Sequence, residues 1–150
     1  MIVDPSVLVA IIRNEPEAAA FASLIARAKV ARLSAASYVE LGVVVDGPRD
    51  AVQSSSVDAL IASARLQIEP FTPAQARIAR SAYERFGRGS GHPARLNMGD
   101  CFSYALARDL GEPLLFKGSD FTLTDIEVVI EPIREKRLSE IVAGYETGAS

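Results

Sequence analysis

The chain has 150 residues, 49% of them hydrophobic and 23% charged, a size and balance that suit one soluble domain burying roughly two-thirds of its unfolded surface. Sixteen Lys and Arg against nineteen Asp and Glu give a net charge of −3, which excludes a whole-surface basic footprint, so a nucleic-acid partner has to be drawn by a local patch. One Cys and one His exclude a disulfide framework and a zinc site of the usual ligand type.

The opening "MIV" reads as a strand, and Asp4 stands where it stops. Asp4 suits a helix N-cap, with Pro5 at N1, where a missing N–H costs nothing. It equally suits a carboxylate at a strand's C-terminal end, where α/β proteins place their ligands. Residues 6–28 carry apolar side chains at helical spacing, and Pro16 divides them into a helical hairpin. Val7, Leu8, Ile11, Phe21, Leu24 and Ile25 exceed one apolar face, which suggests a partner surface beside the monomer core.

A second strand is expected within 29–36, then a helix over 37–47 closed by Gly47 and another over 48–66 opened by Pro48. Residues 67–71 read as extended. Thr72 and Pro73 open an amphipathic helix that ends in glycines. A helix over 98–111 holds Cys101 in an apolar setting that marks a buried structural thiol. A buried strand follows within 113–118, and an edge strand over 126–132. Residues 1–138 form a single domain on this reading, and 139–150 are a tail, partly disordered. Strands separated by helical crossovers predict an α/β fold, a parallel central sheet flanked on both faces by helices.

Four acids share a position in such a fold. Asp4 and Asp120 follow strands; Glu40 and Asp100 lie near helix starts. Each has a structural reading too: Ser37 and Glu40 match a capping box, as do Asn97 and Asp100, and Asp120 suits an Asx-turn. Yet strand C-termini and the following helix N-termini line one edge of a parallel sheet, so all four can converge. Carboxylates a few ångströms apart repel by roughly 1 to 4 kcal/mol per pair and need protons or a cation. Oxygen-only donors select Mg²⁺ or Mn²⁺, the apparatus of phosphodiester hydrolysis.

These residues carry a family resemblance. The segments "MIVD-x-S", "LSAASYVELG", "FGRGSGHPARLNMGDCFSYALA" and "LLFKGSDFTLTDI" resemble the VapC toxins of bacterial toxin–antitoxin pairs, which are PIN-domain ribonucleases. The resemblance spans nearly the whole chain. It implies a PIN-like domain in which Asp4, Glu40, Asp100 and Asp120 bind one or two Mg²⁺ or Mn²⁺ ions and RNA is hydrolysed. It also implies a homodimer, a toxin–antitoxin hetero-oligomer and silencing by a cognate VapB-type antitoxin. No apolar run approaches a membrane span, so no membrane partner and a cytoplasmic location are expected.

One departure stands out. The family usually has Thr or Ser after the first aspartate, and this chain has Pro5. A hydroxyl beside Asp4 is lost, so a catalytically weakened or inactive RNA- or antitoxin-binding protein is an alternative; Ser6 keeps the second hydroxyl. A Mg²⁺-binding phospho-acceptor receiver domain is a further alternative, since it too clusters aspartates at strand ends and places a lysine like Lys117. For substrate, the loop 85–95 supplies Arg88, His92 and Arg95, with Asn97, Lys117 and Ser6 nearby, as a local patch for an RNA backbone. Ser119, Thr122 and Asp125 are secondary candidates around Asp120.

Overall fold

The computed structural model describes residues 1–129. Its centre is a parallel sheet of four strands in the order β3-β2-β1-β4. These are β1 (Ile2–Val3), β2 (Arg32–Ser34), β3 (Gln67–Glu69) and β4 (Leu114–Leu115). Ile2 stands opposite Arg32 and Leu114, and Val3 opposite Leu115.

Alternate side chains of a strand leave opposite faces of its sheet, and here that divides the interior in two. Ile2 and Leu114 enter a core built with α5 (Pro73–Phe86) and α6 (Met98–Leu110). Val3, Leu33 and Leu115 enter the other, built with α1 (Pro5–Ile12), α2 (Ala18–Arg27), α3 (Ala35–Asp46) and α4 (Ala51–Ser63). All five side chains are fully buried. Such short strands hold because both faces are covered, as parallel sheets require. The order also separates this fold from receiver domains, whose sheets run 2-1-3-4-5.

Several helix starts follow the expected chemistry. Asp4 caps α1 by accepting from the Ser6 N–H (2.9 Å), with Pro5 at N1. Thr72 caps α5 by accepting from the Gln75 N–H (3.1 Å). At the start of α6, the Asp100 N–H donates to Asn97 Oδ1 (2.9 Å) and the Asn97 N–H to Asp100 Oδ2 (2.7 Å). The helix stops at Gly111, whose φ of 62° is left-handed.

Others differ from expectation. Helix α4 opens at Ala51 rather than Pro48, because Asp50 accepts from the Val52 N–H (2.9 Å) and outcompetes the proline as a start. Helix α2 opens at Ala18, two residues beyond Pro16. The box expected between Ser37 and Glu40 is absent: α3 starts at Ala35, so Ser37 is already inside the helix, fully buried.

The hairpin's apolar residues are largely absorbed by the monomer. Val7, Leu8, Phe21 and Ile25 are buried in the second core, with Ile11 and Leu24 packed against it. Cys101 is buried, and burial together with Asp100 pushes its thiol up to about 12, as befits an inert core residue. Val128 forms an isolated parallel bridge with Leu114, and the Leu114 N–H donates to the Glu127 carbonyl (2.9 Å), within the stretch expected as an edge strand. The rest of that strand, the boundary at 138 and the tail 139–150 lie outside the described residues. Among the described residues, no helix is long and apolar enough to cross a membrane.

Candidate active site

The four acids come from one end of the sheet and act on one another in pairs: Asp4 with Glu40, Asp100 and Asp120, and Asp100 with Glu40 and Asp120. The Asp4 N–H donates to the Leu115 carbonyl (2.9 Å), the last rung before the chain turns into α1. Glu40 lies in the second turn of α3 and Asp100 in the first turn of α6. After β4 the chain bends through Gly118, whose φ of 106° suits only glycine, and delivers Asp120 at the start of a 3-10 turn, Asp120–Leu123.

Their charges record the meeting. Burial raises Asp4 above the usual carboxylate range despite hydrogen bonds from Ser6 and Ser103, and Asp120 adds to the rise. Glu40 is raised to about 7 by burial, then by Asp4 and Asp100. Asp100 is raised to about 6, chiefly by burial and then by Asp4 and Asp120; the Asn97 N–H and Arg88 pull the other way. Asp4, Glu40 and Asp100 each feel at least one other acid of the set.

Asp4 is 6% exposed and held at both oxygens. Oδ1 accepts from the Ser6 N–H, and Oδ2 accepts from the Ser103 hydroxyl at 2.7 Å. Glu40 is held differently. Its carboxylate lies over the Cα of Gly99, in space that a Cβ would fill, and its Oε2 is buried without any hydrogen-bond partner among the described residues. An ionisable oxygen buried without a donor is expensive, and the upward shift of Glu40 reflects that cost.

The other candidates divide. Arg88 lies close enough to lower Asp100, and its N–H donates to the Leu96 carbonyl (3.0 Å). The Ser6 hydroxyl accepts from the Lys117 N–H (3.0 Å) while facing Asp4. Lys117 itself is engaged with Glu15 and with Glu17 (3.1 Å), tying the turn after β4 to the α1–α2 link. Asn97 is spent in the box with Asp100. His92 Nδ1 accepts from the Ala94 N–H (3.2 Å), and the ring stands edge-on to Phe86 at 4.9 Å, so it shapes the loop. Arg95 is exposed, with a left-handed φ of 51°. Asp125 accepts from the Tyr104 hydroxyl (2.6 Å) and from Arg85 (3.1 Å), a structural anchor rather than a further site acid. Ser119 and Thr122 are bonded to each other within the 3-10 turn.

Gly99 and Ser103 escaped the sequence reading, and Ser37 entered it only as a cap. Gly99 and Ser103 lie one turn apart on α6, flanking Asp100, and that spacing of small residues around an acid was the available signal.

The donor set fits a hard divalent cation: carboxylates, a partnerless buried oxygen and no thiolate or imidazole. Among the described residues, no three such side chains already stand in a closed cluster. Mg²⁺ does not need one, since it keeps several waters and takes only one or two carboxylates directly.

A family model described as PIN domain matches residues 1–127. Ribonuclease VapC28 of Mycobacterium tuberculosis is 56% identical over 131 residues, covering 87% of this chain and 98% of that protein. Ribonuclease VapC42 of the same organism is 48% identical over 126 residues, 84% of this chain and 96% of that one. Among solved structures, VapC20 of M. tuberculosis, described as a sarcin-ricin-loop-cleaving toxin, superposes with a TM-score of 0.68 at 19% identity, over 87% of this chain and 98% of that one. The VapBC2 complex of Rickettsia felis, bound to promoter DNA, gives 0.65 at 17% identity, over 86% and 96%.

Proposed function

The chain belongs to the PIN-domain family and, within it, to the VapC ribonucleases, and from that premise we propose that it is a Mg²⁺- or Mn²⁺-dependent endoribonuclease toxin. The observation that carries the metal-site reading is the partnerless Glu40 Oε2, buried among the charges of Asp4 and Asp100. Asp4, Glu40, Asp100 and Asp120 hold the ion, directly or through its waters. When bound, it supplies an activated water and offsets charge on the phosphate under attack.

The chain's own groups do the rest. Asp4 is locked at both oxygens and offers a fixed pair of lone pairs. Glu40 keeps Oε2 free of any hydrogen-bond partner among the described residues, so that oxygen is open to the ion or to one of its waters. Arg88, beside Asp100, draws the scissile phosphate into a crevice that is otherwise acidic, while Arg95 and the loop residues around His92 meet the neighbouring backbone. Lys117 contributes its N–H to Ser6 rather than its ammonium to RNA.

The relatives in solved toxin–antitoxin complexes support a cognate VapB-type antitoxin as partner, and so a hetero-oligomer; a homodimer belongs to the same proposal without support from them. A cytoplasmic location belongs to the same proposal.

The test is cleavage of a mixed structured-RNA pool by antitoxin-free protein with Mg²⁺, with Mn²⁺ and with EDTA, beside Asp100→Asn. Cleavage that requires both metal and Asp100 is the expected result. Cleavage that persists in EDTA, or in the variant, overturns the metal-site reading.

A further inference from the structure

Serines inside helices usually satisfy their hydroxyls on their own helix, by bonding back to a carbonyl three or four residues earlier. Three serines of α4 do so. Ser55 and Ser56 donate to the Val52 carbonyl (2.9 and 2.8 Å), and Ser63 donates to the Leu60 carbonyl (3.1 Å). Ser103 does not. It sits within α6 at 1% exposure, followed by the buried run Tyr104 to Ala107, and its hydroxyl leaves the helix to donate to Asp4 Oδ2 at 2.7 Å.

Ser37 behaves likewise. It is fully buried in α3, one turn before Glu40, and its Oγ lies 3.4 Å from Ser103 Oγ. Since Ser103 gives its single proton to the carboxylate, Ser37 is the donor in that second contact. The hydroxyls thus run from Ser37 on α3 to Ser103 on α6 to Asp4 at the end of β1. Those three elements carry Glu40, Asp100 and Asp4.

We infer that Ser103 is a positioning residue of the metal site: it fixes the Asp4 carboxylate against rotation and, with Ser37, ties together the three elements that bear the acids. The inference rests on the metal-site reading above and adds a residue to it. A hydroxyl reaches Asp4 across the crevice, from α6, beside the one that Ser6 offers from its own stretch. The Ser6 N–H and Ser103 O–H grip the two oxygens from different elements, so neither alone fixes the carboxylate plane. A buried hydroxyl in that apolar run costs stability unless it is bonded, and Asp4 supplies the bond.

The test uses Mn²⁺ itself as probe, titrated calorimetrically into the whole chain, with far-UV circular dichroism as the check on folding. Ser103→Ala should keep its helical spectrum and bind Mn²⁺ roughly tenfold to a hundredfold more weakly, the range seen when a hydrogen-bond partner of a metal ligand is removed. Ser103→Thr keeps the hydroxyl and should recover most of that affinity; should its extra methyl prevent folding, near-isosteric Ser103→Cys, a weaker donor, should fall between Ser and Ala. A metal-free crystal structure of Ser103→Ala should show the Asp4 carboxylate turned.

Wild-type affinity in Ser103→Ala, alongside lost binding in Asp100→Asn, overturns the role of Ser103 and leaves the metal site standing. Undiminished binding in Asp100→Asn overturns the metal-site reading, and this inference with it.

Discussion

The carboxylate of Glu40 occupies the place where residue 99 would carry a Cβ, so Glu40 and Gly99 are two halves of one fit. Gly99 is buried in the first turn of α6, and its bare Cα lets an acid from α3 lie flat against that turn, next to Asp100. Gly99→Ala adds one methyl group whose three nearest neighbours are all atoms at the flexible end of Glu40. The fold should therefore survive, helped by the better helix propensity of alanine, about 1 kcal/mol. Cleavage should fall roughly a hundredfold or more as Glu40 swings out. A melting curve beside a cleavage assay separates the two effects, and retained activity would show that Glu40 works from another position.

Removing any one acid should silence the enzyme without unfolding it. Asp4→Asn, Glu40→Gln and Asp100→Asn each delete one charge from a repelling set, so metal-free thermal stability should hold or rise. Cleavage should fall by roughly two orders of magnitude or more, because several kcal/mol of charge stabilisation leave with the ion. Full activity in all three variants would falsify the proposed site.

The same repulsion fixes a pH dependence. Folded Glu40 and Asp100 keep their protons up to about 7 and about 6, against 4.5 and 3.8 as ordinary values. Between those limits the folded chain binds more protons than the unfolded chain, so these groups' contribution to stability declines as pH rises and levels off above about 7. Metal-free melting temperature should fall between pH 5 and 7, and Glu40→Gln should flatten the fall. Mn²⁺ competes with those protons, so its stabilising shift should grow over the same interval. A stabilisation by Mn²⁺ that is equal at pH 5 and pH 8 would separate the ion from these carboxylates.

Pro5 invites a reversal. Pro5→Thr restores the hydroxyl that most family members carry, but Asp4 already has donors on both oxygens. The change should leave the fold intact and alter cleavage less than about threefold, well below the effect of Ser103→Ala. A large gain in Pro5→Thr would mean that this proline had been holding the enzyme back.

Much of this was legible in the chain itself. The sheet and the caps at Asp4, Thr72 and Asn97 follow from short-range signals: proline at N1, an acid after an apolar run, a glycine beyond a helix. The box at Ser37 was misread because a capping motif and a buried serine one turn before an acid have the same spacing; only the true start of α3 tells them apart. Ser103 was invisible for a related reason. Its partner is 99 residues away in sequence, and no local pattern announces a hydrogen bond across a crevice. Lys117 pairs with Glu15 and Glu17 at the α1–α2 link, partners too distant in sequence for any local pattern to announce.

The alternation in β1 has a last consequence, for chain length rather than composition. Ile2 belongs to one core and Val3 to the other, so position along that strand is a phase as well as a distance. One residue inserted before Asp4 would advance the carboxylate by about 3.3 Å and exchange the destinations of the side chains ahead of it. Two would restore the phase but carry Asp4 beyond the end of the sheet and out of reach of Ser103. This stretch can absorb a change of side chain far more readily than a change of count.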